Sequence, residues 1–164
     1  MWYLTYAPIH ELSHALGTTL VGGKVVDVKL IPSFWEGQFA VAWVTSVGLD
    51  QSWQQLVMHG APYVIDVAFV VASLVVLRRR LSRNALVVGL LLILMCLRPT
   101  FDLVCETVGF VGGFHGDLWN MQVIIGSAAL WSFLLVSLAL CLLSVVVILG
   151  RYGGFPEPLA ANRG

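Results

Sequence analysis

From Met121 to Leu149 the chain runs for twenty-nine residues without one Asp, Glu, Lys or Arg, and that stretch restricts the fold more than any other feature. As a helix rising 1.5 Å per residue it would measure about 43 Å, more than the roughly 30 Å of a bilayer's hydrocarbon core. In lipid every backbone N–H and C=O must find its partner inside the protein, so an apolar run of this kind becomes a helix. Leu56 to Leu77 is a second run of spanning length, interrupted by His59, Pro62 and Asp66. Across all 164 residues 11% are charged and 59% hydrophobic, with a mean hydropathy of +0.89, whereas soluble domains are about 25% charged. Zero net charge and the lack of a long basic stripe exclude nucleic acid as a partner.

The pattern predicts an all-α polytopic membrane protein of about four transmembrane helices, with a β-hairpin between the first and the second. Trp2 to Val21 reads as a short first helix that tolerates Pro8 near its start and ends at Gly22-Gly23. Between Lys24 and Val47 the period shortens to two: Val26, Val28 and Leu30 alternate with Asp27 and Lys29, and Pro32 to Gly37 makes the turn of a hairpin. A third span begins at Ala85, but its clean apolar run ends at Leu97 and has to continue through Arg98-Pro99-Thr100-Phe101-Asp102 to cross. Gly109, Gly112, Gly113 and Gly116 loosen the backbone before the last span, Met121 to Leu149. Residues 1–150 thus form a single membrane-embedded domain, and 151–164, with Pro156 and Pro158, a flexible tail.

Arg78, Arg79, Arg80 and Arg83 crowd one loop. The positive-inside rule places that loop, and with it the C-terminus, in the cytoplasm and the hairpin on the outer side. Met1 to Ile9 lacks the basic segment of a secretory leader and is not read as cleaved; its abrupt start fits a start site further upstream. Cys96, Cys105 and Cys141 show no paired spacing and read as core thiols.

Within the first helix lies His10-Glu11-Leu12-Ser13-His14. Positions i and i+4 share a helix face, so both imidazoles can reach one Zn2+, and Glu11 beside them can take a proton from a water the metal polarises. Ionisable groups at membrane depth are costly and mark function. Zinc hydrolysis needs a third ligand, often a carboxylate, and an open position. Leu20 stands where a metzincin would carry its third histidine. Three acids remain. Asp66 lies mid-span at about the depth of His10, Asp102 follows Arg98 by one turn, where an intrahelical ion pair also accounts for it, and Asp117 opens the last span, where helix capping does. His59, His115 and Asn120 are candidates for holding substrate or a developing oxyanion. An edge strand of the hairpin can pair with an extended substrate segment.

His10-Glu11-Leu12-Ser13-His14-Ala15-Leu16, followed by Gly22-Gly23, a hairpin and Gly60-Ala61-Pro62, resembles the site-2 protease family of intramembrane zinc metalloproteases, especially its small, minimal members. The resemblance covers most of residues 1–125. It implies a helix bearing both histidines and the catalytic glutamate, a hairpin near the membrane, a second helix with a Gly/Pro motif and a third carrying an aspartate ligand. In that order of elements, Leu97-Arg98-Pro99-Thr100-Phe101-Asp102 is similar to the family's proline-containing approach to its ligand. The implied metal set is therefore His10, His14 and Asp102, with Asp117 second and Asp66 third. Ser13 stands where the family carries Gly, Leu103 rather than Gly follows Asp102, and Gly116-Asp117 resembles a displaced form of the same motif.

The expected activity is hydrolysis of a peptide bond in a transmembrane protein substrate, with Glu11 catalytic. The alternative is a catalytically inactive, protease-like membrane scaffold.

Overall fold

The computed structural model describes residues 2–31, 42–78 and 85–152. Its elements are α1 (Trp2–Leu20), β1 (Lys24–Lys29), β2 (Trp43–Val47), α2 (Ser52–Arg78), α3 (Ala85–Leu92), a π turn (Ile93–Leu97), α4 (Arg98–Val111), α5 (Asp117–Ile125) and α6 (Ser127–Tyr152). The expected hairpin turn, most of the arginine loop and residues 153–164 of the expected tail lie outside the described residues, while Arg151 and Tyr152, expected in the tail, continue α6. The chain is mostly helical with one small antiparallel hairpin, and α2 is central, touching α1, α4, α5 and α6.

Two helical segments among the described residues, Ser52–Val76 and Ser127–Val147, are long and apolar enough to cross a membrane. The molecule is also polar within and apolar without. His10, His14, Asp66, Arg98 and Asp102 are buried, while Val64, Leu135, Val136, Leu142 and Val146 are exposed. Soluble monomers rarely leave so much apolar surface uncovered.

Local chemistry explains where the helices stop and bend. α1 ends where Gly22 turns to φ +82°, and the Gly23 N–H donates back to the Thr18 carbonyl at 2.9 Å, a glycine-terminated cap. Thr18 and Ser46 then share a hydroxyl–hydroxyl bond of 2.8 Å that ties the end of α1 to β2. Trp43 closes the hairpin by donating Nε1–H to Asp27 at 2.9 Å.

Pro99 has no N–H, and in an uninterrupted α-helix its ring would strike the carbonyl of Met95, four residues back. The backbone relieves this by widening into the π turn just before it, where the Arg98 N–H donates to the Ile93 carbonyl.

The segment expected as one last span, Met121 to Leu149, is two helices. Gly126 takes φ +82° between α5 and α6, a conformation that costs glycine nothing and other residues about a kcal/mol or more. Its N–H is satisfied by the Gln122 carbonyl at 2.8 Å, and its own carbonyl accepts from Leu130 at 3.1 Å, so Gly126 keeps both of its backbone groups bonded.

Candidate metal centre

α1 presents a stripe at helical spacing, Tyr6, His10, His14 and Thr18, toward the rest of the molecule. Both imidazoles are buried, each 6% exposed. Opposite them, α4 ends in Gly112 and Gly113, the latter at φ +85°, and the chain doubles back so that α5 begins beside α1. Gly116, not Asp117, is the N-cap of α5, with no side-chain cap bond. The Asp117 carboxylate is therefore not spent on the helix end and turns to the histidines.

The distances define a cluster. Asp117 Oδ2 stands 2.9 Å from His14 Nε2 and 3.2 Å from His10 Nε2, and the three ligand atoms all lie within 4.8 Å of one another. Two ligands bonded at about 2.0–2.1 Å in a tetrahedral shell stand roughly 3.3 Å apart, so the spacing fits a small metal ion.

The far side of each ring decides which nitrogen faces the cluster. His14 Nδ1 lies 2.8 Å from the Met58 carbonyl; a carbonyl only accepts, so Nδ1 carries the proton and a neutral His14 turns a bare Nε2 lone pair inward. That carbonyl is free because of Pro62: in α2 the N–H of residue 62 would normally occupy the carbonyl of residue 58, and proline has none. His10 Nδ1 lies 3.0 Å from Asp102 Oδ2, which orients it the same way. Two imidazole lone pairs and one carboxylate oxygen thus converge. All three are acceptors, and only a cation, a proton or a metal ion, lets them sit this close.

α1 reaches Met58 because Gly17 lets the two helices approach. A Cβ on residue 17 would lie 2.8 Å from the Ala61 Cβ and 3.1 Å from the Val57 carbonyl. We expect Gly17→Ala to push α1 from α2 and weaken the His14–Met58 bond and, if the cluster holds a metal, to lower its affinity about 10-fold, the low end for outer-shell changes. Competition against a chromophoric chelator measures it, and unchanged affinity would contradict the role given to this contact.

The remaining candidates fall into place as follows. Asp102, ranked first as the third ligand, sits behind His10 on the Nδ1 side, and the acid that meets both Nε2 atoms is Asp117. Arg98, the base one turn before Asp102 on α4, is 3.9 Å from its carboxylate. Asp66 is buried but pairs with Arg98, away from the cluster. His59, on α2, holds the other Asp117 oxygen, Nδ1 to Oδ1 at 2.6 Å. A neutral His59 donating there keeps only an acceptor at Nε2, which leaves Asn120 and His115 as the better donors to an oxyanion. His115 is stacked on Trp119 with centroids 4.2 Å apart.

These groups share one cavity of about 560 Å³, lined by His10, Glu11, His14, His59, Asp117 and Asn120 among others, with Trp43 and Val44 of β2 in its wall. Glu106 also lines it, and sequence reasoning passed it over. Tyr6 and Tyr63 donate to its two oxygens at 3.4 Å, long contacts that place it above His10. Its signal was present: Arg98, Asp102 and Glu106 are spaced four apart on α4, one stripe facing α1 and α2.

No protein-family model, curated protein or solved structure significantly matches the chain.

Proposed function

We propose that the chain is an intramembrane zinc endopeptidase resembling the site-2 proteases, in which His10, His14 and Asp117 hold the metal and Glu11 is the general base. The convergence of His10 Nε2, His14 Nε2 and Asp117 Oδ2, all acceptors, on one point carries this reading. Two histidines and a carboxylate with an open side are the donor set of catalytic rather than structural zinc.

Charge supports it independently. Asp66 and Asp102 are buried and the Asp117 side chain is 19% exposed, whereas Arg98 is the one buried Arg or Lys among the described residues. Glu11 and Glu106, which line the same cavity, add further carboxylates, so acids outnumber bases around the cluster and a bound cation would offset part of the excess. Uncompensated charge away from water is expensive.

Zinc, when bound, would polarise a carbonyl and acidify water. The chain's own residues do the rest. Glu11 follows His10 by about 100° around α1 and lines the same cavity, where it can take a proton from the attacking water and return it to the leaving amine. Asn120 and His115 stand at the mouth to donate to the oxygen that gains charge. β2 pairs only with β1 among the described residues, and its Trp43 and Val44 face the cavity, which suits it to bind an extended substrate strand by backbone hydrogen bonds.

The substrate is a transmembrane segment of another protein, unwound at the cleavage point. α2 and α6 cross the bilayer as spans. The first helix and the α3–α4 rod complete four membrane-embedded layers, and the arginine loop and the C-terminus face the cytoplasm.

Metal content tests the reading. Purified full-length protein should hold about one zinc per chain and cleave a transmembrane substrate in proteoliposomes. His14→Ala should lose both, and a chelator should abolish cleavage in a way that added zinc restores. A folded, metal-free wild-type protein would instead favour the scaffold.

A further inference from the structure

Behind His10 lies a second cluster that zinc hydrolysis as such does not need. Arg98 is the largest fully buried side chain, 1% exposed, between Asp66 at 3% and Asp102 at 0%. Its Nη2 donates to Asp66 Oδ1 on α2, and its Nη1 lies 3.9 Å from Asp102 Oδ2. That same oxygen accepts from His10 Nδ1 at 3.0 Å. The Phe69 ring covers the guanidinium, 5.7 Å from its centre. The chain of contacts runs Asp66, Arg98, Asp102, His10, and crosses three helices.

Stability does not explain the arrangement. Buried ion pairs are often replaceable by apolar side chains at no loss. Here Asp66 Oδ2, Arg98 Nε, Arg98 Nη1 and Asp102 Oδ1 also have no hydrogen-bond partner among the described residues, a cost that an apolar core would avoid. The π turn that Pro99 imposes ends on Arg98 and resets the direction in which it leaves the helix by about 100° relative to an uninterrupted helix.

We propose that Arg98, anchored by Asp66, is a positioning residue: it fixes the Asp102 carboxylate against His10 Nδ1, and so fixes which His10 nitrogen faces the metal centre and at what angle. The effect on zinc rests on the metalloprotease reading; the effect on His10 does not. A carboxylate behind a ligating imidazole sets its tautomer and raises its basicity, and changing such outer partners typically costs 10–100-fold in metal affinity. Without Arg98 the Asp102 carboxylate loses the cation that holds it in place beside the ring, whether or not Asp66 is present.

The experiment compares wild type, Arg98→Met, Arg98→Lys and the double variant Asp66→Leu/Arg98→Met as full-length protein in lipid nanodiscs. Two quantities are read: zinc affinity by chelator competition, and the protonation of each His10 nitrogen in metal-free protein by NMR of nitrogen-labelled histidine. The double variant removes the pair together, so it should fold even if Arg98→Met does not.

We expect a zinc affinity about 10–100-fold below wild type in the double variant, with His10 losing its fixed Nδ1–H form. Arg98→Lys should recover part of both, since it keeps the charge but not a fork that reaches two carboxylates. Cleavage at saturating zinc should fall in kcat with KM unchanged. A folded double variant with wild-type zinc affinity and a wild-type His10 would overturn the proposal. A wild-type protein that binds no zinc would sink the metalloprotease reading instead, while the nitrogen spectra would still decide for or against Arg98.

Discussion

Glu11→Gln should leave zinc content unchanged and reduce cleavage by about 10²- to 10⁴-fold, the usual worth of a positioned acid–base group. Gln matches Glu in size and can still hydrogen-bond, so packing in the cavity wall is preserved, but it cannot accept a proton at neutral pH. Metal should stay because the proposed ligand atoms are those of His10, His14 and Asp117, with Glu11 outside that cluster. Zinc by atomic emission and cleavage in proteoliposomes, measured on the same preparation, separate the two effects. Cleavage within about 10-fold of wild type would remove Glu11 from the chemistry, since that is less than a general base contributes.

The second large effect separates two aspartates. Asp117→Asn replaces the one anion that touches both metal-facing nitrogens with a neutral amide, a far poorer zinc ligand. The amide oxygen can still accept from His59 Nδ1–H, 2.6 Å from Oδ1 in the wild type, so the change falls on the histidine-facing side. Zinc affinity should fall more than the roughly 10–100-fold typical of outer-shell changes, and cleavage with it. Asp102→Asn acts only through His10 Nδ1, 3.0 Å away, and should stay within that range. The order of the two losses decides the assignment. Were Asp102→Asn to strip the metal while Asp117→Asn kept it, Asp102 would be the ligand after all.

Much of α1's part was legible in the chain. His10 and His14 share a face because of helical spacing alone, Glu11 follows from its place beside them, and the stop at Gly22-Gly23 follows from backbone chemistry. The hairpin was legible from its period of two, and the two long apolar runs from bilayer length. These are properties of residues near one another in sequence.

Glu106 was reachable on the same grounds, by extending the stripe from Arg98 and Asp102 one more turn. Gly126 was harder, since a glycine inside an apolar run is as often carried within a helix as used to break one.

Which acid faces the histidines was of another kind. Asp102 and Asp117 lie 92 and 107 residues from His10, on separate helices, and the answer depends on how far each helix is turned about its own axis. The π turn ahead of Pro99 turns α4 so that Asp102 reaches His10 from behind. The reversal through Gly112 and Gly113 carries Asp117 to the front, and the carbonyl that Pro62 leaves free turns His14 to meet it. Local sequence sets the face of each helix; only the packing of α1, α2, α4 and α5 against one another sets which faces meet, because a rotation of one residue's worth, about 100°, would turn either acid away from the histidines at no cost that a single segment records.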